Sequence, residues 1–296
     1  MTARAVLRTA DGRLRAPWRL LIFGLVAVAL AALAFALVGL LVPSRDRPEV
    51  LSASDAVGLD VILTYWGTVL ALVGAHAFVL RFVEHRGWDF VWLDRSAARP
   101  RLLGAGFLIG ALAIGVPSAI LIAIGWLDVT DTPGPWHTGA LATTMMLLPA
   151  ALTEELMIRG YPLAVLRETL GWRGAILLTS VVFGALHAFN PNVAVAAIVL
   201  VTIAGVFLGA VVYQMRSLWA ATAAHFAWNL TLAVFLHAAL SGQELPVGDY
   251  RILDGGPDWA TGGAWGPEGG AGAIAGMLVA AALLLRRRRQ GEGDGA

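Results

Sequence analysis

Long apolar runs, separated by short segments that carry arginine, set the pattern of this chain. Eight of them approach the roughly 20 residues an α-helix needs to cross a hydrocarbon core about 30 Å thick. They cover residues 18–42, 57–83, 102–127, 138–158, 175–189, 193–213, 218–240 and 271–285. The first is too long for the apolar region of a signal peptide, and no small-residue cleavage site follows it, so it is expected to remain as a helix. The pattern predicts an all-α fold, a polytopic membrane helix bundle of about eight transmembrane helices. The stretch from Gly255 to Gly272, rich in Gly, Pro and Trp, reads as irregular, and the polar tail after Arg289 as disordered. No internal repeat and no second soluble domain stand out.

Arginine placement orients the bundle. Arg4, Arg8, Arg13, Arg15 and Arg19 precede or open the first span, and Arg81, Arg86, Arg95, Arg99 and Arg101 follow the second. Residues 128–137 hold no arginine, the 241–270 segment holds only Arg251, and Arg286 to Arg289 follow the last span. Both termini are therefore expected in the cytoplasm, and the protein in the cell membrane.

Composition agrees. Of 296 residues, 58% are hydrophobic and 14% charged, against roughly 45–50% and 25% in a soluble domain, and the mean hydropathy is +0.74. A net charge of +1 excludes a nucleic-acid binder that works through a basic face. The absence of cysteine removes disulfides, thiolate nucleophiles and Cys-based metal sites. Every basic residue is arginine, for which no physical argument is evident.

Charged groups at the centre of a spanning helix cost at least about 2.5–3.5 kcal/mol each, so the polar residues inside the spans carry the information. Glu154, Glu155 and Arg159 close the fourth span, Phe183 and His187 lie in the fifth, and His225 and Asn229 lie in the seventh. Residues i and i+4 share a helix face. Glu155 can therefore pair with Arg159, leaving Glu154 turned about 100° away. His225 and Asn229 project together, and Phe183 sits one turn before His187, where it can brace the ring. An acid, two imidazoles and a carboxamide from three helices can thus meet inside the bundle.

Each polar residue also has a purely structural reading. The Glu155–Arg159 pair reads mainly as a device that fixes the helix and the neighbouring acid. For His76 the reading as a hydrogen-bonded packing residue and the functional one balance. His85, His137 and His237 read as solvated residues at span ends or in loops. Gly205 and Gly209 form a small-xxx-small helix-packing face, and Trp219 reads as an interface anchor.

A buried acid beside histidines suits water activation, with Glu154 as general base assisted by His187 and with Asn229 and His225 as donors to an oxyanion. A divalent metal is the competing chemistry. Zinc accepts two His and one Glu, which makes Glu154, His187 and His225 candidate ligands. The chain lacks HExxH, and the spacing alone neither requires nor forbids a metal.

In this order and on successive spans, the motifs EExxxR (Glu154, Glu155, Arg159), FxxxH (Phe183, His187) and HxxxN (His225, Asn229) resemble the signature of the CPBP family. Its members include type II CAAX prenyl proteases and bacteriocin-immunity membrane proteins. Arg159-Gly160-Tyr161 and Ser217-Leu218-Trp219-Ala220 are similar to that family as well. The resemblance covers roughly residues 140–235 and divides the chain into three spans (1–136), a catalytic core (137–240), and an outer loop with the last helix and basic tail (241–296). It implies an intramembrane CAAX-type endopeptidase acting on a protein or peptide substrate, which in some members is lipidated. In it, Glu154 with His187 would activate water, His225 and Asn229 would bind the oxyanion, and Glu155 and Arg159 would support Glu154. A non-proteolytic membrane protein, such as an immunity or partner-binding scaffold or a proton-coupled transporter, is the alternative.

One depth mismatch accompanies this reading. With Arg159 and Arg173 both at the inner surface, His187 would lie about 21 Å up the next span at 1.5 Å per residue, out of reach of Glu154. The reconciliation expected is a fourth helix that runs on past Arg159 towards Pro162, with that arginine in a wet cavity; the other is a connecting segment that dips inward.

Overall fold

The structure, a computed structural model, describes residues 6–42, 57–132, 136–245 and 247–293. Eight long helices follow in chain order: α1 (Ala16–Leu41), α2 (Leu59–Val79), α3 (Pro100–Ala123), α4 (Trp136–Ile158), α5 (Tyr161–Leu186), α6 (Val195–Met215), α7 (Leu218–Leu230) and α8 (Ala271–Gly293). A π-helical turn extends α2 over Leu80–Glu84 and another extends α7 over Thr231–Phe235. Helices are the expected outcome for apolar runs, because in hydrocarbon each backbone N–H and C=O must find its partner within the segment. Large apolar side chains such as Leu25, Val28, Leu40, Leu70, Leu108 and Leu278 point away from the bundle, as a lipid-facing surface requires. Among the described residues six stretches are long and apolar enough to cross a membrane; α4 and α5 fall in one of them, Gly139–Phe189, and the apolar part of α8, Ala271–Leu284, is shorter. The molecule is an all-α membrane helix bundle.

Two places pack closely because glycine leaves room. A Cβ on Gly106 or Gly110 of α3 would lie 2.2 Å or 2.0 Å from the carbonyl oxygens of Ala220 or Ala224 on α7. Gly205 and Gly209 of α6 meet Ser180 and Ile176 of α5 in the same way, so the small-xxx-small stripe is a packing face.

Several element boundaries depart from expectation. The third span does not reach Leu127, which opens β1 (Leu127–Thr132), antiparallel to β2 (Asp249–Asp254) in the register Leu127↔Asp254 to Thr132↔Asp249. Polar residues alternate with Leu127 and Val129, and with Tyr250 and Ile252, a period of two that suits a strand. The seventh span loses its helix at Phe235 instead of Leu240. The segment expected to be irregular carries a helical turn, Asp258–Thr261, and two 3₁₀ turns. Within the described residues α8 continues past Arg289 to Gly293, where a disordered tail was expected. The fifth helix begins at Tyr161, well before Ala175, and bends at Gly171, whose φ of 66° suits glycine.

The bundle has two distinct ends. At one, Arg19 reaches Glu84 and Glu168 (2.7 Å each), Arg86 reaches Glu168 (2.9 Å), and Arg13 lies 3.3 Å from both acids. Tyr161 donates to Glu84 there (2.5 Å), and Arg167 and Arg216 stack over Trp92 and Trp172. At the other end the β-pair is joined by the connections after α5 and α7. Asn190 and Asn192 donate to the carbonyls of Ser241 and Gly242 (3.2 and 3.0 Å). Glu268 accepts from the Ser241 N–H and hydroxyl (2.6 and 2.8 Å) and from the Trp228 indole (2.9 Å).

Candidate active site

The break after α4 places the acids. Arg159 N–H and Gly160 N–H both donate to the Glu155 carbonyl (2.8 and 2.9 Å), ending the helix. A side chain at Gly160 would bring its Cβ to 2.3 Å from His76 Nε2, so the junction needs glycine. His76 is fully buried on α2. Its Nδ1 faces the Leu72 carbonyl (2.7 Å) and must be the protonated nitrogen, and its Nε2 accepts the Tyr161 N–H (3.0 Å). Both ring nitrogens are used in tying α2 to the α4–α5 junction, which settles His76 as a packing residue.

Glu155 and Arg159 form the expected i,i+4 pair, at 3.0 Å and with both side chains fully buried. His225 completes the group from α7, with Nδ1 2.9 Å from the same Glu155 oxygen. The Arg159 guanidinium lies 4.1 Å over the Phe183 ring. That ring also meets His187 edge-on at 4.7 Å and His225 at 6.0 Å. Phe183 therefore braces His187 as expected, and in addition joins the arginine and the second histidine.

Glu154, one residue before Glu155, faces elsewhere. Its side chain is 32% exposed and lines a cavity of about 270 Å³ together with His187, His225 and Asn229. Its Oε2 is 3.7 Å from His225 Nε2. His187 stands where α5 passes into a 3₁₀ turn, and its Nδ1 donates to the Phe183 carbonyl (2.8 Å). The tautomer with the proton on Nδ1 leaves Nε2 as a free lone pair. The four side chains come from α4, the turn that follows α5, and α7.

The depth mismatch resolves differently from expectation. The fourth helix does not run on through Arg159; it stops at Ile158, and the chain resumes as α5 towards the arginine-rich end. The reversal comes at Gly171, beyond Glu168, which is held by Arg13, Arg19 and Arg86. Glu154 and His187 stand at near-equal chain distance on either side of that turn and so reach the same depth. Arg159 is fully buried and does not line the cavity. Tyr161, Leu163, Ala164 and Val165, all fully buried, follow it, and the Glu155 carboxylate supplies its charge partner.

Other lining residues escaped the sequence reading: Tyr65 on α2, Trp228 beside Asn229, and Asn190, Ser241 and Glu268 in the connections. Glu268 gave no usable signal, lying in a segment without periodicity. Trp228 falls within the HxxxN stretch, but its indole contact to Glu268 is long-range. His237 is not solvated as expected: it is 8% exposed and stacks on Tyr250 at 3.9 Å with Nδ1 on the Tyr250 carbonyl (2.7 Å). His85 is exposed, and the His137 side chain lies outside the described residues.

Among the described residues no three His, Cys, Asp or Glu side chains are placed to hold one metal ion. The candidate ligands Glu154, His187 and His225 share the cavity without being grouped closely enough to hold one ion. They do not fit a three-ligand zinc site.

No curated protein and no solved structure matches the chain. Residues 135–231 match the family model described as Type II CAAX prenyl endopeptidase Rce1-like, a segment that begins with α4 and ends with α7 and so contains all three motifs. Over that segment this multi-pass membrane protein is similar to the type II CAAX prenyl endopeptidase family.

Proposed function

We propose that the protein is an intramembrane endopeptidase of the cell membrane, hydrolysing a peptide bond of a membrane-associated protein or peptide through water activated by Glu154. The observation that carries this is the shared cavity of Glu154, His187, His225 and Asn229, an acid, two imidazoles and an amide at a depth where polar groups default to function. Glu154 takes a proton from water as the oxygen attacks the scissile carbonyl carbon, and His187, with its Nε2 lone pair, assists. The carbonyl oxygen becomes an oxyanion held by the Asn229 amide and by His225 Nε2–H. For that donation His225 carries both protons, with Glu155 as the carboxylate opposite Nδ1. The proton taken from water then passes to the leaving nitrogen as the C–N bond breaks, and no covalent enzyme intermediate forms. Arg159 neutralises Glu155, and Phe183 holds both rings in place.

The test compares protein termini in cells carrying the wild type, Glu154→Gln and His187→Ala. The expected result is a small set of termini present with the wild type and lost with both variants. Termini that persist in Glu154→Gln cells at wild-type abundance overturn the water-activation role.

A further inference from the structure

The cavity has a floor at one end of the bundle and a mouth at the other. Towards the arginine-rich end its lining stops at Glu154 and Met157, and the buried side chains of Arg159, Tyr161, Leu163, Ala164 and Val165 close what lies beyond. At the opposite end it is lined by Asn190, Ser241, Gln243, Leu245 and Glu268, all from connections joined to the β-pair, and Gln243 is exposed.

Charge distinguishes these ends. The connections at the mouth, residues 124–135, 187–194 and 236–270, carry Arg251 as their one arginine, while the segment joining α1 to α2 carries Arg45 and Arg47 next to Asp46 and Glu49. Arg8, Arg13, Arg15 and Arg19, the run from Arg81 to Arg101, and Arg167, Arg173 and Arg216 belong to the floor end. Arginine-rich loops stay in the cytoplasm. Resting on the peptidase reading above, we infer that the site is fed from the non-cytoplasmic side of the membrane, and that its substrate class is an extracytoplasmic peptide or an extracytoplasmic end or loop of a membrane protein. A cytoplasmic terminus would meet the closed floor, whose buried Glu155–Arg159 pair cannot be parted without leaving a charge uncompensated.

The chain has no cysteine, so single cysteines report the geometry directly. Gln243→Cys and Val129→Cys mark the mouth end, and Ala98→Cys, exposed beside Arg99, marks the floor end. A membrane-impermeant maleimide added to intact cells is expected to label the first two at least tenfold more than Ala98→Cys, which gains label only after permeabilisation. Labelling of Ala98→Cys alone, or of no position before permeabilisation, overturns the inference. The termini lost in Glu154→Gln cells supply the second arm: they are expected in extracytoplasmic segments, and termini confined to cytoplasmic segments overturn the substrate class. If no terminus changes, the peptidase reading and the substrate class fall together, while the labelling still decides which way the cavity opens.

Discussion

Glu154 and Glu155 are adjacent in sequence, yet one lines the cavity and the other is sealed against Arg159 and His225. The 100° turn between neighbours on a helix is enough to separate them, and it gives substitutions of opposite signature. Glu154→Gln keeps volume and hydrogen bonding but removes the base. Turnover is expected to fall about 10²–10⁴-fold, with the thermal unfolding midpoint in detergent unchanged. Glu155→Gln leaves Arg159 buried without its carboxylate, at a cost of about 3–5 kcal/mol, so its unfolding midpoint falls together with activity. Asn229→Ala removes one oxyanion donor, for which about 10²-fold is expected, a milder loss than that of the base. Wild-type turnover in the first variant, or an unshifted midpoint in the second, contradicts these roles. The i,i+4 pairs were legible in the sequence because helix geometry is local. The place of Phe183, against Arg159, His187 and His225 at once, was legible only in part, since two of those contacts cross between helices.

At the scale of elements, the junction of α4 and α5 decides whether the acids and His187 meet. Glycine ends α4 because His76 Nε2 occupies the space a side chain would need, and the same nitrogen receives the first N–H of α5. Gly160→Ala forces either the ring or the junction to move. A destabilisation of about 1–3 kcal/mol is expected, measured as a lower unfolding midpoint, with activity lost in proportion to any displacement of Glu154. An unchanged midpoint would show that the junction relaxes freely. The sequence marked this region as a span end next to a Gly–Tyr–Pro stretch, but not that the chain continues inward as a helix before reversing at Gly171. That continuation depends on Glu168 finding Arg13, Arg19 and Arg86, arginines contributed by segments far away in the chain.

For the whole molecule, the apolar exterior commits the chain to a bilayer, and the interior then concentrates its few polar side chains. Among the described residues no three His, Cys, Asp or Glu side chains are grouped to hold one ion. Prolonged dialysis against a chelator is therefore expected to leave turnover unchanged, with no stoichiometric zinc by elemental analysis. Activity lost on chelation and restored by added zinc would contradict this. The connections at the mouth, held by Glu268 to Trp228 and Ser241, form the part of the molecule that the apolar pattern described least well. Their residues follow no helical period, and what orders them is pairing between segments far apart in the chain, as in β1 with β2.

Local chemistry by itself determined the membrane class, most span positions, the asymmetry of arginine between the two ends, and the identity of the polar side chains that cannot face lipid. Each of these follows from transfer free energy or from helix geometry within about four residues. Tertiary structure alone decided that α5 begins at Tyr161 and turns at Gly171, that Arg159 is sealed in the bundle while Glu154 lines the cavity, and that Glu268 closes on Trp228. Those outcomes depend on which distant side chain fills a space or supplies a hydrogen bond, and hydrophobic periodicity holds no record of partners it does not contain.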